Sequence, residues 1–204
     1  MKYIVRIFSA FLLVGATVLT TGCFGLAATG LIVGSVAMTD RRTLGAQTED
    51  TSIEIKAKLR INEQIRFPGG VSVTSYNRRI LLTGQAANED EKRRAEQVVR
   101  GVDNVRAVQN ELQLAGQPGL TSTAADATTT AGVKAALIES KETPAASIKV
   151  VTESGVVYLM GLVTQKESQA AVRIASRVRG VQKVIAVFEV ISEEELGRIT
   201  RRSN

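Results

Sequence analysis

The sequence predicts an α+β protein made of two tandem units, each a three-stranded sheet with two helices on one face in the order α-β-β-α-β. Three observations carry this reading: the chain repeats itself, each copy reads as a hairpin followed by a capped helix and a closing strand, and helical periodicity precedes each hairpin. The stretch VSVTSYNRRILLTG at 71–84 returns as IKVVTESGVVYLMG at 148–161, an offset of 77. RGVDNVRAV, beginning at Arg100, returns as RGVQKVIAV from Arg179, an offset of 79, so the second copy carries two extra residues in between.

In the first unit Ile53, Ala57, Ile61 and Ile65 recur every four residues among Lys56, Lys58, Arg60 and Glu63, which predicts a helix over 52–65 with one apolar and one charged face. Val71 and Val73 alternate as a half-buried strand, Tyr76-Asn77-Arg78 makes the turn, and Ile80-Leu81-Leu82 returns. Asn88 with Glu91 three residues later opens a helix. Gly101 closes it, placed to take the left-handed conformation with Val102 as the accompanying apolar contact, and a last strand runs over 105–114.

The second unit repeats this grammar with a weaker first helix over 128–140, where three threonines and Gly132 crowd the first turns and Val133, Ala136 and Leu137 form the stripe. Ile148 and Val150 alternate, Ser154-Gly155 turns, and 156–160 returns. Thr164 and Glu167 open the next helix, Gly180 closes it, and 184–191 is the closing strand. Residues 115–122 read as a linker and 193–204 as a charged tail, or a short helix.

Ahead of these units, Lys2 and Arg6 precede an apolar run over 7–19, the size of a signal-peptide core and short of the ~20 residues a spanning helix needs. Leu19-Thr20-Thr21-Gly22-Cys23 resembles a bacterial lipobox, with Thr20 where an aliphatic residue is usual. The resemblance implies a signal peptide at 1–22, diacylation of Cys23 on sulfur and acylation of its amine after cleavage. A Gly/Ala-rich membrane-proximal tether would then occupy 23–43. By resemblance to enterobacterial lipoprotein sorting, Phe24 rather than Asp after the cysteine implies the outer membrane. The competing reading is a spanning helix, because no charge occurs over 7–39.

Composition narrows the chemistry. The 204 residues contain no His and one Cys, which removes Ser-His-Asp and Cys-His nucleophile systems, His-bearing zinc sites and internal disulfides. No phosphate loop, nucleophile or metal cluster stands out, so the chain reads as a binding protein and not an enzyme, with no cofactor and no small-molecule substrate. The net charge of +6 invites a nucleic-acid partner. Two of those charges lie in the signal segment, however, and 44–122 and 123–204 hold 11 basic with 10 acidic and 11 basic with 9 acidic residues. That dispersion does not make a phosphate-tracking groove.

Two αββαβ units of this size, the glycines that close hairpin and second helix, and the lipobox ahead of them resemble the BON-domain family, in particular outer-membrane lipoproteins with two such domains. The motif Asp40-Arg41-Arg42-Thr43-Leu44-Gly45-x-Gln47 and the stretch VVYLMGLVT from Val156 fit that group. The resemblance places the domains at 44–114 and 123–192 and implies a lipid-anchored protein on the periplasmic face of the outer membrane. Such a protein would bind anionic phospholipid and help to keep the membrane intact, with envelope proteins as further partners. The lipid-facing element would be the first helix of the second unit, over 126–140. Val133 and Leu137 would be its apolar contacts and Lys134 and Lys141 its headgroup partners. This helix has no aromatic residue, the type best suited to a membrane interface, and core packing is the competing reading for Val133 and Leu137. The alternative function is an envelope protein-interaction scaffold with incidental lipid contact.

Overall fold

Helix α1 (Leu44–Gln64) opens the first repeat of the computed structural model, which describes residues 40–65, 70–115 and 123–203. The signal segment, Cys23, most of the tether and residues 116–122 of the linker lie outside the described residues. Thr43 caps α1, its hydroxyl accepting from the Ala46 amide at 3.1 Å, and Ile53, Ala57 and Ile61 turn inward. Strands β1 (Val71–Tyr76) and β2 (Arg79–Ala86) form the expected hairpin, in register from Val71↔Gly84 to Tyr76↔Arg79. Its turn holds Asn77 and Arg78 at φ 49° and 66°, the left-handed pair that matches the twist of two-residue hairpins.

Helix α2 (Glu89–Arg100) begins at Asn88, whose side chain accepts from the Glu91 amide at 2.9 Å. Glu91 reaches back to the Ala87 amide at 2.7 Å, one residue beyond the partner it takes in a capping box. The closing strand is interrupted: β3 (Ala107–Asn110) and β4 (Gln113–Leu114) both run parallel to β2. Between them Leu112 turns into the core.

The second repeat follows the same path through α3 (Thr123–Glu139), a 3-10 turn (Ala145–Ser147), β5 (Ile148–Glu153), β6 (Val156–Val163), α4 (Gln165–Ala175), β7 (Lys183–Ala186) and β8 (Glu189–Val190). Strand pairing matches the first repeat. Thr164 and Glu167 complete a full capping box. Each glycine meets half of its expectation. Gly180 is left-handed at φ 92°, where a Cβ would come within 2.5 Å of Thr129 Oγ1, but it stands beyond the end of α4, which Ser176 caps. Gly101 directly follows α2 and is right-handed at φ −79°. In the first repeat the left-handed residue after the second helix is Asn104, at φ 68°.

Each repeat has its own core between helices and sheet, with Ile80 and Leu82 in the first and Val157, Leu159 and Val163 in the second. The alternate residues of the same strands, Leu81, Tyr158, Met160 and Leu162, pack with Tyr76, Val187 and Ile191 in a third core between the two sheets. This explains why β2 and β6 read as continuous apolar runs: both of their faces are covered. A large side chain taken out of water contributes about 1.5–3 kcal/mol, so this layer holds the two repeats together. The C-terminal stretch is not a solvated tail. Residues 193–203 form α5 (Glu193–Ser203), and Leu196 and Ile199 pack against the third core.

Candidate lipid-contact site

Helix α3 starts earlier than its threonines suggest, because those residues have jobs in the fold. The Thr129 side chain is buried beside Gly180, and the Thr130 hydroxyl donates to Thr152 Oγ1 at 2.7 Å. Gly132 sits where a Cβ would be 3.1 Å from Val178, so a small residue there sets how closely α3 approaches the segment after α4. Asp126 is buried at the base of the helix and accepts from the amides of Ser154 and Gly155 at 2.8 and 2.9 Å. It therefore clamps the hairpin turn to the helix.

The candidate lipid contacts divide along this helix. Val133 and Leu137 are 0% and 1% exposed and belong to the second repeat's core. They fasten the helix to the sheet, so for these two side chains core packing takes precedence over lipid contact, and Leu137 shows only its edge to the surface. Lys134 and Lys141 are exposed. With them stands Ile138, 58% exposed, which the sequence reading passed over because it lies off the inward stripe. Beside it opens an apolar depression of about 320 Å³ lined by Lys134, Leu137, Ile138, Ala145, Ile148 and Val150. Ala131 and Ala135 continue the exposed face. The arrangement offers the Lys134 ammonium at the rim of a shallow apolar surface and a second exposed lysine, Lys141, just past the helix end, which suits an amphiphile with a negative head.

The first repeat carries the same clamp in a stronger form. Asp50 on α1 accepts from Ser75 Oγ and from the amides of Asn77 and Arg78, each at 2.7 Å, and from Arg42 Nη1 at 2.7 Å. Burial pushes its carboxyl pKa up, but these hydrogen bonds outweigh burial and hold it below the usual carboxylate range. The matching positions of Asp50 and Asp126 in the two copies were the sequence signal for this role, and the repeat reading did not use it.

Residues 40–43, read as the end of the tether, are part of the fold. Arg41 donates both guanidinium nitrogens to Glu167 at 2.7 Å and Nη1 also to the Leu162 carbonyl at 3.0 Å, while its amide donates to Ser147 Oγ. Arg42 pairs with Asp40 and Asp50 and lies 3.8 Å over the Tyr76 ring. Adjacent arginines thus grip different repeats. Further bonds cross the same seam, from Tyr76 Oη to the Ser147 carbonyl at 2.8 Å, Lys149 to Glu54 at 2.7 Å and Asn77 to Glu189 at 2.7 Å. Burial raises the Tyr76 pKa, with the Asp40 charge adding to it, and burial with Glu111 and Glu153 pushes Tyr158 up to about 12. Both phenols stay neutral in the seam. Among the described residues no group of three His, Cys, Asp or Glu is placed to hold a metal ion, and no helix is long and apolar enough to cross a membrane.

The BON domain family matches residues 49–116 and 125–192, one match on each repeat. The chain is 37% identical over 182 residues to the outer membrane lipoprotein DolP of Haemophilus influenzae, spanning 88% of this chain and 94% of that protein. It is 30% identical to a 21 kDa hemolysin of Actinobacillus pleuropneumoniae over 74% of this chain and 79% of the relative. It is 31% identical to the osmotically-inducible protein Y of Escherichia coli, strain K12, over 69% of this chain and 72% of the relative. With a domain match on each repeat and a relative this similar along nearly its whole length, the chain belongs to the BON-domain family.

Proposed function

We propose that the protein is anchored through an acylated Cys23 to the periplasmic face of the outer membrane, binds anionic phospholipid there and helps to maintain the membrane. The observation that carries the binding step is the outward face of α3, where Lys134 and Ile138 are exposed beside an apolar depression, with Lys141 exposed just beyond the end of the helix. Each ammonium near an anionic surface contributes about 1 kcal/mol, and the depression accepts the first methylenes of an acyl chain. Two lysines alone bind weakly. Confinement by the anchor raises the effective lipid concentration and compensates for the weak contact. The outer membrane lipoprotein among the relatives supports the location.

The full chain carrying Cys23→Ala, which removes the anchor, tests the binding step by co-sedimentation with vesicles. Binding to phosphatidylglycerol-containing vesicles that falls with added salt and is absent from phosphatidylcholine vesicles is the expected result. Equal binding to both, or to neither, contradicts the proposal. Labelling with radioactive palmitate in wild type, lost in Cys23→Ala, tests the anchor separately.

A further inference from the structure

Among the described residues five large apolar side chains are strongly exposed, and three of them lie on α1: Leu44, Ile55 and Leu59, at 81%, 55% and 56%. The helix was expected to turn a charged face outward. Instead its outward stripe runs Leu44, Thr48, Ile55, Leu59 at helical spacing, with Lys56 and Lys58 exposed along its flanks and the exposed Glu63 one turn beyond Leu59 at its end. The threonines do not make the stripe polar. Thr48 Oγ1 donates to the Leu44 carbonyl at 3.0 Å and Thr51 Oγ1 to the Gln47 carbonyl at 3.1 Å. Their donors are satisfied within the helix, which lowers the cost of moving the stripe out of water.

From these observations we infer that the outward stripe of α1 is a second membrane-contacting surface, laid on the anionic bilayer that holds the acyl anchor. The inference rests on the phospholipid-binding, Cys23-anchored reading above. The occupant follows from chain length and charge. Asp40 stands only 17 positions after Cys23, a stretch that spans at most ~60 Å when extended, and α1 begins four residues later. The first described helix is therefore always within reach of the surface that carries the acyl chains. An apolar strip edged by lysines is the pattern of a helix that lies in the interface plane. On α3 the corresponding outward positions are mostly alanines, so α1 has more apolar surface to bury.

The full acylated chain, reconstituted in phosphatidylethanolamine and phosphatidylglycerol vesicles, carries a nitroxide at Ile55→Cys, Leu59→Cys, Ile138→Cys or Asp103→Cys, all exposed sites. Collision rates with oxygen and with a water-soluble nickel chelate are then read. Several-fold higher oxygen accessibility at 55 and 59 than at 103 is expected. Immersion at 138 with aqueous labels at 55 and 59 overturns the inference and leaves the phospholipid reading standing. Aqueous labels at 55, 59 and 138 overturn both. Spin–spin broadening at 55 without oxygen access means that a second copy covers the stripe, and protection only in whole envelopes means that a protein does; either overturns the inference. Spin label taken up by the wild-type chain reports a free Cys23 and therefore failure of the anchor, independently of α1.

Discussion

The two repeats solve one folding problem twice and differ where they face solvent. Each fastens its hairpin turn to its first helix with a buried aspartate, Asp50 or Asp126. The second turn contains Gly155, which takes φ 76° freely, while the first holds Asn77 and Arg78 at positive φ with no glycine. The first clamp also draws in a charge, with four hydrogen bonds to Asp50 of which one comes from Arg42. The outward helix faces have diverged more, to an apolar strip on α1 and an alanine face rimmed by lysine on α3. What the repeats share is architecture, so what they do differently is to be sought on those faces.

The largest expected effect breaks the comparison at the clamps. Asp50→Ala leaves Arg42 with Asp40 as its remaining carboxylate, frees the Ser75 hydroxyl and the Asn77 and Arg78 amides and releases a turn held at positive φ, and it should cost about 3–5 kcal/mol in urea denaturation. Asp126→Ala frees two amides at a glycine turn and should cost about 1–3 kcal/mol. Equal losses would show that the two turns are equivalent after all. The closing glycines come next. Gly180→Ala must push against Thr129 at positive φ and should lose about 1–3 kcal/mol. Gly101→Ala, at an ordinary right-handed φ with the new methyl in ordinary van der Waals contact at 3.5 Å or more, should be neutral or stabilising by up to ~1 kcal/mol.

A pH series sharpens the same contrast. The Asp50 carboxyl is held below its usual range, so its contribution is complete above the unfolded value, about 3.9. It is lost as pH falls through the lower folded value, because the unfolded chain then binds the extra proton. Asp50→Asn should flatten the stability profile below about pH 4. The smallest effect is functional: Lys134→Ala and Lys141→Ala should each weaken phosphatidylglycerol-vesicle binding about fivefold, with thermal unfolding unchanged because both side chains are exposed.

The repeat arithmetic made the α-β-β-α-β order, both hairpins and both capped helices legible, because each rests on local chemistry such as Asn88 with Glu91 or Thr164 with Glu167. Contacts between repeats were not legible as such. Leu81 and Met160 looked like ordinary strand residues, although the absence of alternation around them was the mark of a second buried face. Arg41 and Arg42 read as a border motif, since nothing local announces that Glu167 lies more than a hundred residues ahead in the chain. Val133 and Leu137 illustrate the remaining difficulty. An apolar stripe on a helix looks the same whether a sheet or a membrane covers it, and only the fold shows that the sheet does.

The central claim is that outward helix faces, and not the cores, meet anionic lipid. Backbone amide shifts of Met38–Asn204, which carries both repeats and the arginine staple, measured in phosphatidylglycerol and in phosphatidylcholine micelles, test it most directly. The account predicts phosphatidylglycerol-dependent shifts concentrated at Lys134, Ala135, Ile138 and Lys141 on the α3 side and at Ile55 and Leu59 on α1, with the seam around Tyr158 and Met160 unmoved. Shifts centred on that seam, or none that distinguish the two lipids, would contradict it.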